Sequence, residues 1–67
     1  MINTVYNNWR RDIAAEYIAR TGRAFPSMDT KRGRQLRALL VAMSDRDDVP
    51  DPIEAVNECI RAGLLKS

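Results

Sequence analysis

Six basic side chains are concentrated in the middle of the chain, and four of them fall within two turns of one predicted helix. The guanidinium group of arginine suits carboxylates and phosphates, because it can hold both through paired hydrogen bonds. Basic residues in the first turns of a helix also oppose the helix dipole, whose positive end lies there, and this favours an anionic ligand. The predicted partner-binding residues are Arg20, Arg23, Lys31, Arg32, Arg34 and Arg37.

The charge of the chain is strongly divided between its two parts. Residues 1–40 carry eight basic and three acidic side chains, whereas residues 41–67 carry three basic and six acidic ones. A compact fold should therefore have a basic face and an acidic face, either of which could steer a partner of opposite charge. Three uses of the basic face stay open: an acidic surface of another protein, the phosphates of a nucleic acid, or the acidic part of the same chain.

Several classes of chemistry are excluded by residue types alone. The chain has no histidine, so it lacks an imidazole base, a histidine metal ligand and a Cys/His nucleophile pair. Cys59 is the single cysteine, which rules out an internal disulfide and cannot supply tetrahedral zinc ligation. We interpret it as a small buried hydrophobic residue. The sequence therefore predicts no catalytic residue, no metal ligand and no cofactor.

An acidic stretch between the second and third predicted helices invites a test for a calcium site. Calcium takes carboxylate oxygens, and an EF-hand loop needs glycine at its sixth position and glutamate at its twelfth. Counting from Asp45 places Pro50 and Val56 at those positions, so the pattern fails. A solvated loop, or a surface that binds arginines of a partner, is the favoured interpretation.

Three amphipathic patterns predict a single all-α domain over residues 1–67, a small three-helix bundle with helices at about 4–21, 29–44 and 52–62. Asn3 or Thr4 can cap the first helix, and Gly22 can end it. The second helix has Ser27 or Asp29 as candidate caps. Asp51-Pro52 provides the start of the third helix and Gly63 its end.

The apolar residues of each helix recur at spacings of three and four. In the first helix this stripe begins at Ile2 and includes three aromatic residues, Tyr6, Trp9 and Tyr17, which we expect to pack in the core and not to form a stacking platform for bases. Tyr6 is expected to be the most exposed of the three. The predicted core is Trp9, Ile13, Tyr17, Leu36, Leu40, Met43, Val56 and Ile60.

Apolar residues outside these stripes should form an exposed patch that a homodimer or a complex would bury. They are Leu39, Val41 and Leu65. Gly33 within the second helix indicates either a neighbouring backbone at close range or fraying of the helix start. No run of 18 apolar residues occurs, so we expect no membrane partner, and the single cysteine favours a cytoplasmic location.

Two segments resemble parts of small helical replication and accessory proteins encoded by phages and prophages. They are the run from Tyr17 to Phe25, with its Thr-Gly-Arg turn, and the basic Leu-Arg-x-Leu-Leu helix from Lys31 to Leu40. The resemblance covers about a third of the chain and carries no catalytic or ligand residue with it. It implies an adaptor or inhibitor that binds one larger protein machine.

The resulting hypothesis is a small, non-enzymatic interaction protein that binds a larger protein through its arginine-rich face. The alternative is a nucleic-acid-binding accessory protein in which the same arginines contact phosphates. A DNA-binding domain usually keeps a clear basic excess, whereas this chain has a net charge of only +2. That small charge favours the protein partner.

Overall fold

The computed structural model describes residues 4–67 and has three helices: α1 (Thr4–Thr21), α2 (Lys31–Ser44) and α3 (Pro52–Arg61). No strand occurs among these residues. The predicted fold class, a small all-α three-helix bundle, is confirmed. The predicted cap Asn3 and the stripe residue Ile2 lie outside the described part of the chain.

The start of α2 differs from the prediction, because Thr30 caps it and the helix begins at Lys31. The Thr30 hydroxyl accepts a hydrogen bond from the backbone N–H of Gly33 at 3.0 Å and donates one to the Ser27 carbonyl at 2.7 Å. Ser27 and Asp29 were therefore wrong as caps. The hydroxyl of Ser27 instead accepts from the backbone N–H of Asp29 within the preceding turn.

The other helix boundaries follow the sequence signals closely. Asp51 caps α3 by accepting from the backbone N–H of Glu54 at 2.9 Å, and Pro52 occupies the first helical position. Gly22 and Gly63 have φ angles of 71° and 78°, the left-handed conformation that glycine adopts without a steric cost. Beyond Gly63 the backbone N–H of Leu64 returns to the Cys59 carbonyl, so the chain folds back on α3.

Gly33 is buried because the turn before α2 packs directly on it. A Cβ atom built there would overlap the carbonyl oxygen of Ser27 and would lie 2.6 Å from its carbonyl carbon. Of the two explanations for a glycine at this position, close approach of a neighbouring backbone is therefore the one that the structure supports. This contact brings the turn before α2 against the start of that helix.

The core forms where α3 packs against both other helices. Six of the eight predicted core residues are buried, and Trp9 and Ile60 are partly buried against the same cluster. Ala55, Cys59 and Leu65 complete it. Leu65 is only 3% exposed, so its assignment to an exposed patch was wrong. The buried residues are Ile13, Tyr17, Leu36, Leu40, Met43, Ala55, Val56, Cys59 and Leu65.

Two long-range hydrogen bonds fix α1 relative to the ends of α3. The Trp9 indole N–H donates to the Pro50 carbonyl at 2.8 Å, just before α3 begins. The Tyr17 hydroxyl donates to the Lys66 carbonyl at 2.8 Å, just after α3 ends. α1 and α3 therefore run in the same direction, and the tail after Gly63 packs onto the C-terminal half of α1.

Candidate interaction surface

All six predicted binding residues are exposed, but the side chains of two of them make hydrogen bonds within the chain. Arg20 donates to the Asn57 side-chain oxygen at 2.6 Å and lies 3.4 Å from Glu16. Arg34 donates to the backbone carbonyls of Asp29 at 3.2 Å and Met28 at 3.4 Å. Arg20 therefore joins α1 to α3, and Arg34 supports the turn before α2.

The basic residues of α2 do not all share one face. Because successive helical residues are rotated by about 100°, Lys31, Arg34 and Arg37 form a continuous stripe at spacings of three. Arg32 is rotated by about 160° from Arg34 and lies on the opposite flank of the helix. We call Lys31, Arg34 and Arg37 the basic stripe. A partner that contacts this stripe cannot contact Arg32 through the same flat surface.

An open groove lies beside the basic stripe, between the first half of α1 and the second half of α2. Its volume is about 470 Å³. Arg10 enters it from α1, with its guanidinium carbon 5.6 Å from the centre of the Phe25 ring. The residues that line this α1–α2 groove are Tyr6, Asn7, Arg10, Met28, Arg37, Val41, Ser44 and Asp45.

Arg10 was not predicted as part of the binding surface. It is 27 positions from Arg37 in the sequence, and only the packing of α1 and α2 against α3 brings both into the lining of one groove. The sequence places Arg10 one helical turn from Tyr6, which indicates that the two side chains share a face of α1. It does not indicate that this face lies toward α2.

The aromatic residues of α1 do not form a three-residue platform, because Tyr17 is buried in the core. Tyr6 and Trp9 are both partly buried, and their ring centres are 5.9 Å apart. The hydroxyl of Tyr6 is inaccessible and has no hydrogen-bond partner in the described structure. These positions favour packing, as predicted, over base stacking.

The basic stripe is not neutralised by the acidic part of the chain. Ion pairs between described side chains join Arg11 to Asp12, Arg20 to Glu16 and Arg46 to Glu58. Of the six predicted binding residues, only Arg20 takes part in one of them. Internal pairing of the basic face with the acidic part of the chain is therefore not observed over residues 4–67.

Arg46 and Glu58 form a bidentate salt bridge at the acidic end of the molecule, with N–O distances of 2.8 and 3.0 Å. The hydrogen bond from Arg46 holds the pKa of the Glu58 carboxyl below its ordinary value of 4.5, and partial burial opposes this shift only in part. The guanidinium of Arg46 has its pKa raised by the same bond. The pair connects the segment after α2 to α3.

This pair predicts a pH-dependent contribution to stability. A carboxyl with a lowered pKa in the folded state stabilises the fold above its unfolded pKa of 4.5, and the contribution disappears as the pH falls through the folded value. Glu58→Gln should therefore destabilise the protein near neutral pH, and the difference from the unmutated chain should shrink below pH 4.5. Urea unfolding followed by Trp9 fluorescence measures this, with Arg46→Gln and the double variant completing the cycle. A difference that does not change with pH would contradict the assignment.

The arrangement of the acidic residues bears on metal binding, and the burial of Cys59 bears on the reactivity of its thiol. No group of three or more Cys, Asp or Glu side chains among residues 4–67 is arranged to hold a metal ion. Cys59 is buried, as predicted, and its burial raises the pKa of the thiol to about 11. A thiol of that kind is protonated at neutral pH and is a poor nucleophile.

Comparison with known proteins gives no relative for this chain. No protein-family model, no curated protein and no solved structure matches it. The resemblance to phage accessory proteins therefore stays a prediction. In the part of the chain that the structure describes, no helix is both long and apolar enough to cross a membrane.

Proposed function

We propose that this protein is a small, non-enzymatic interaction module that binds an acidic surface on a larger protein through the basic stripe, Lys31, Arg34 and Arg37. The observation that carries the proposal is the exposure of these three cations without a bonded carboxylate anywhere in residues 4–67. The guanidinium groups of Arg34 and Arg37 can still form paired hydrogen bonds with a carboxylate, and the ammonium group of Lys31 can donate to one. A role as an adaptor or inhibitor inside the cell follows as part of this proposal.

Electrostatics at the start of α2 support the same conclusion. Thr30 and the following residues place no acidic side chain in the first turn of α2, whereas Lys31 and Arg34 lie beside the positive end of its dipole. This arrangement is unfavourable for the isolated helix and improves when an anion approaches. Binding of an acidic partner therefore removes a repulsion as well as adding contacts.

A nucleic-acid ligand is the alternative use of the same side chains. Against it, the acidic residues after α2 begin at Asp45, which lies in the same groove as Arg37. A carboxylate at that position would repel the evenly spaced phosphates of a nucleic-acid backbone that continued along the stripe, whereas a folded protein can place its carboxylates at the basic residues alone. If phosphates were bound, the logarithm of the affinity would fall with the logarithm of salt concentration by about 0.9 per neutralised phosphate on duplex DNA.

Affinity capture with charge-reversed variants tests the proposal. The tagged protein is incubated with a host lysate, with and without nuclease, beside Lys31→Glu/Arg34→Glu and the control Arg11→Glu/Lys66→Glu, which changes the total charge equally. We expect one stoichiometric protein with the unmutated chain and the control, and at least a tenfold loss with the stripe variant. Circular dichroism checks that all three are folded. Equal recovery by the stripe variant, or recovery that nuclease abolishes, would contradict the proposal.

A further inference from the structure

We propose that the protein forms a symmetric dimer in which the α1–α2 groove of each copy receives the acidic segment that precedes and begins α3 in the other copy. The acidic segment comprises residues 47–54. The groove shares Arg37 with the proposed function, whereas Lys31 and Arg34 of the basic stripe lie outside the groove lining. The argument rests on the charge, exposed apolar area and position of the two surfaces.

The α1–α2 groove combines positive charge with exposed apolar side chains. Arg10 and Arg37 enter it from α1 and α2, and Asp45 is the one acidic residue in its lining. Met28 is 39% exposed and Val41 is 38% exposed. A complementary ligand would bring carboxylates to the two arginines and an apolar side chain to the space between Met28 and Val41.

The acidic segment has the matching properties within the same chain. Val49 is 43% exposed and Ile53 is 53% exposed, although both are large apolar residues. Acidic residues surround them, at positions 47, 48, 51 and 54. Asp48 and Glu54 also flank a shallow surface depression with Val49 and Pro50. The acidic segment therefore presents exposed apolar side chains surrounded by carboxylates, whereas the groove presents exposed apolar side chains beside arginines.

The two surfaces are neighbours at one end of the molecule, which is what a twofold interface requires. The bond from the Trp9 indole to the Pro50 carbonyl holds the acidic segment against α1, one helical turn from Tyr6 of the groove. Asp45 of the groove lining is two residues before Asp47. In a twofold dimer the same patch occurs on both copies, so adjacent complementary halves make two equal contacts.

The size of the chain makes such a contact effective. Stable pairs of proteins bury about 800 Å² on each partner, which is about a fifth of the 4489 Å² surface of this chain. Domains of this length bury a small share of their surface on folding and gain most from added burial. The exposed apolar side chains at both surfaces supply area that the monomer leaves in water.

The test reverses the charge on each side of the proposed contact and measures the mass of the protein in solution by light scattering and sedimentation. The unmutated chain is expected to approach twice its 7.6 kDa mass as its concentration rises from about 10 µM to about 1 mM. Arg37→Glu and Asp48→Lys should each weaken the dimer at least tenfold, while the control Arg11→Glu should not. An equal mixture of the two weakened variants should dimerise again, because both contacts then join opposite charges. Asp47→Lys replaces Asp48→Lys if the latter fails to fold.

Several results would overturn this dimer. The first is an unmutated chain that is monomeric at about 1 mM. The second is a mixture of Arg37→Glu and Asp48→Lys that stays monomeric. The third is undiminished dimerisation of each of these two variants on its own. Loss of a captured foreign protein by Arg10→Glu, a change in the groove and outside the basic stripe, with an unmutated chain that is monomeric, would assign the groove to that protein and also overturn the dimer. Lys31→Glu/Arg34→Glu should keep the dimer while losing the partner of the proposed function, so failures of the two proposals are distinguishable.

Discussion

Replacing Gly33 with alanine is expected to lower the free energy of unfolding by about 1–3 kcal/mol, in spite of the higher helix propensity of alanine. The added Cβ would overlap the Ser27 carbonyl oxygen, and its contact with backbone atoms cannot be relieved by a side-chain rotation. The turn before α2 would have to move away. That movement would also break the Thr30 cap, whose hydroxyl bonds to both Ser27 and Gly33.

Urea unfolding followed by Trp9 fluorescence measures the effect of Gly33→Ala. Ala38→Gly is the matched control, since residue 38 is exposed in the same helix and should show only the propensity difference of about 1 kcal/mol. The close approach predicts that alanine is destabilising at residue 33, whereas propensity alone predicts that it is stabilising. A Gly33→Ala protein more stable than the unmutated chain would contradict the packing of this turn.

Leu65→Ala should cost about 2–4 kcal/mol of unfolding free energy, although residue 65 is two positions from the end of the sequence given. Its side chain is 3% exposed and belongs to the main core cluster. Removing it would leave a cavity and loosen the tail that accepts the Tyr17 hydroxyl bond at Lys66. In a domain of this length, that loss is a large share of the total stability.

Thermal and urea unfolding of Leu65→Ala, with Lys66→Ala as its control, measure the effect. Lys66 contributes its backbone carbonyl to Tyr17, and its exposed side chain should be dispensable. The control is therefore expected within about 0.5 kcal/mol of the unmutated chain. Equal stability of Leu65→Ala and Lys66→Ala would show that the tail does not hold the core together.

Helical periodicity and end signals allowed most of this fold to be predicted. The Asp51-Pro52 start and the stops at Gly22 and Gly63 depend on local backbone geometry, which neighbouring residues determine. The start of α2 was harder, because several residues before it can act as caps. Thr30 is selected by the packing of the Ser27 turn on Gly33, a contact between residues six positions apart.

The errors have tertiary causes. Leu65 lies outside any helical stripe, and it is buried because the chain turns back after Gly63. A pattern with a helical period cannot detect a residue that packs from an irregular tail. Of the other two residues expected in the exposed patch, Val41 is 38% exposed, whereas Leu39 is partly buried against the core cluster.

The basic residues of the candidate site could be predicted from the sequence, whereas the groove beside them could not. The basic residues were identified as exposed from their concentration in the sequence, and the structure places all six at the surface. Their division into a stripe and an opposite flank follows from the helical rotation once the helix boundaries are known. The groove with Arg10 depends on how α1 and α2 are arranged, which charge and hydropathy patterns do not encode.

Site-specific photo-crosslinking at residue 38 tests the proposed interaction surface most directly. Ala38 is exposed, follows Arg37 directly on α2, and lies between Lys31 and Arg34 in helical rotation, at the C-terminal end of the basic stripe. A photo-reactive residue there should crosslink to an acidic segment of one partner protein. This product should still form after the lysate has been treated with nuclease. The same residue at Ala15, exposed on α1, should give no such product. Equal crosslinking from both positions, or products that disappear after nuclease treatment, would contradict binding of an acidic protein by the stripe.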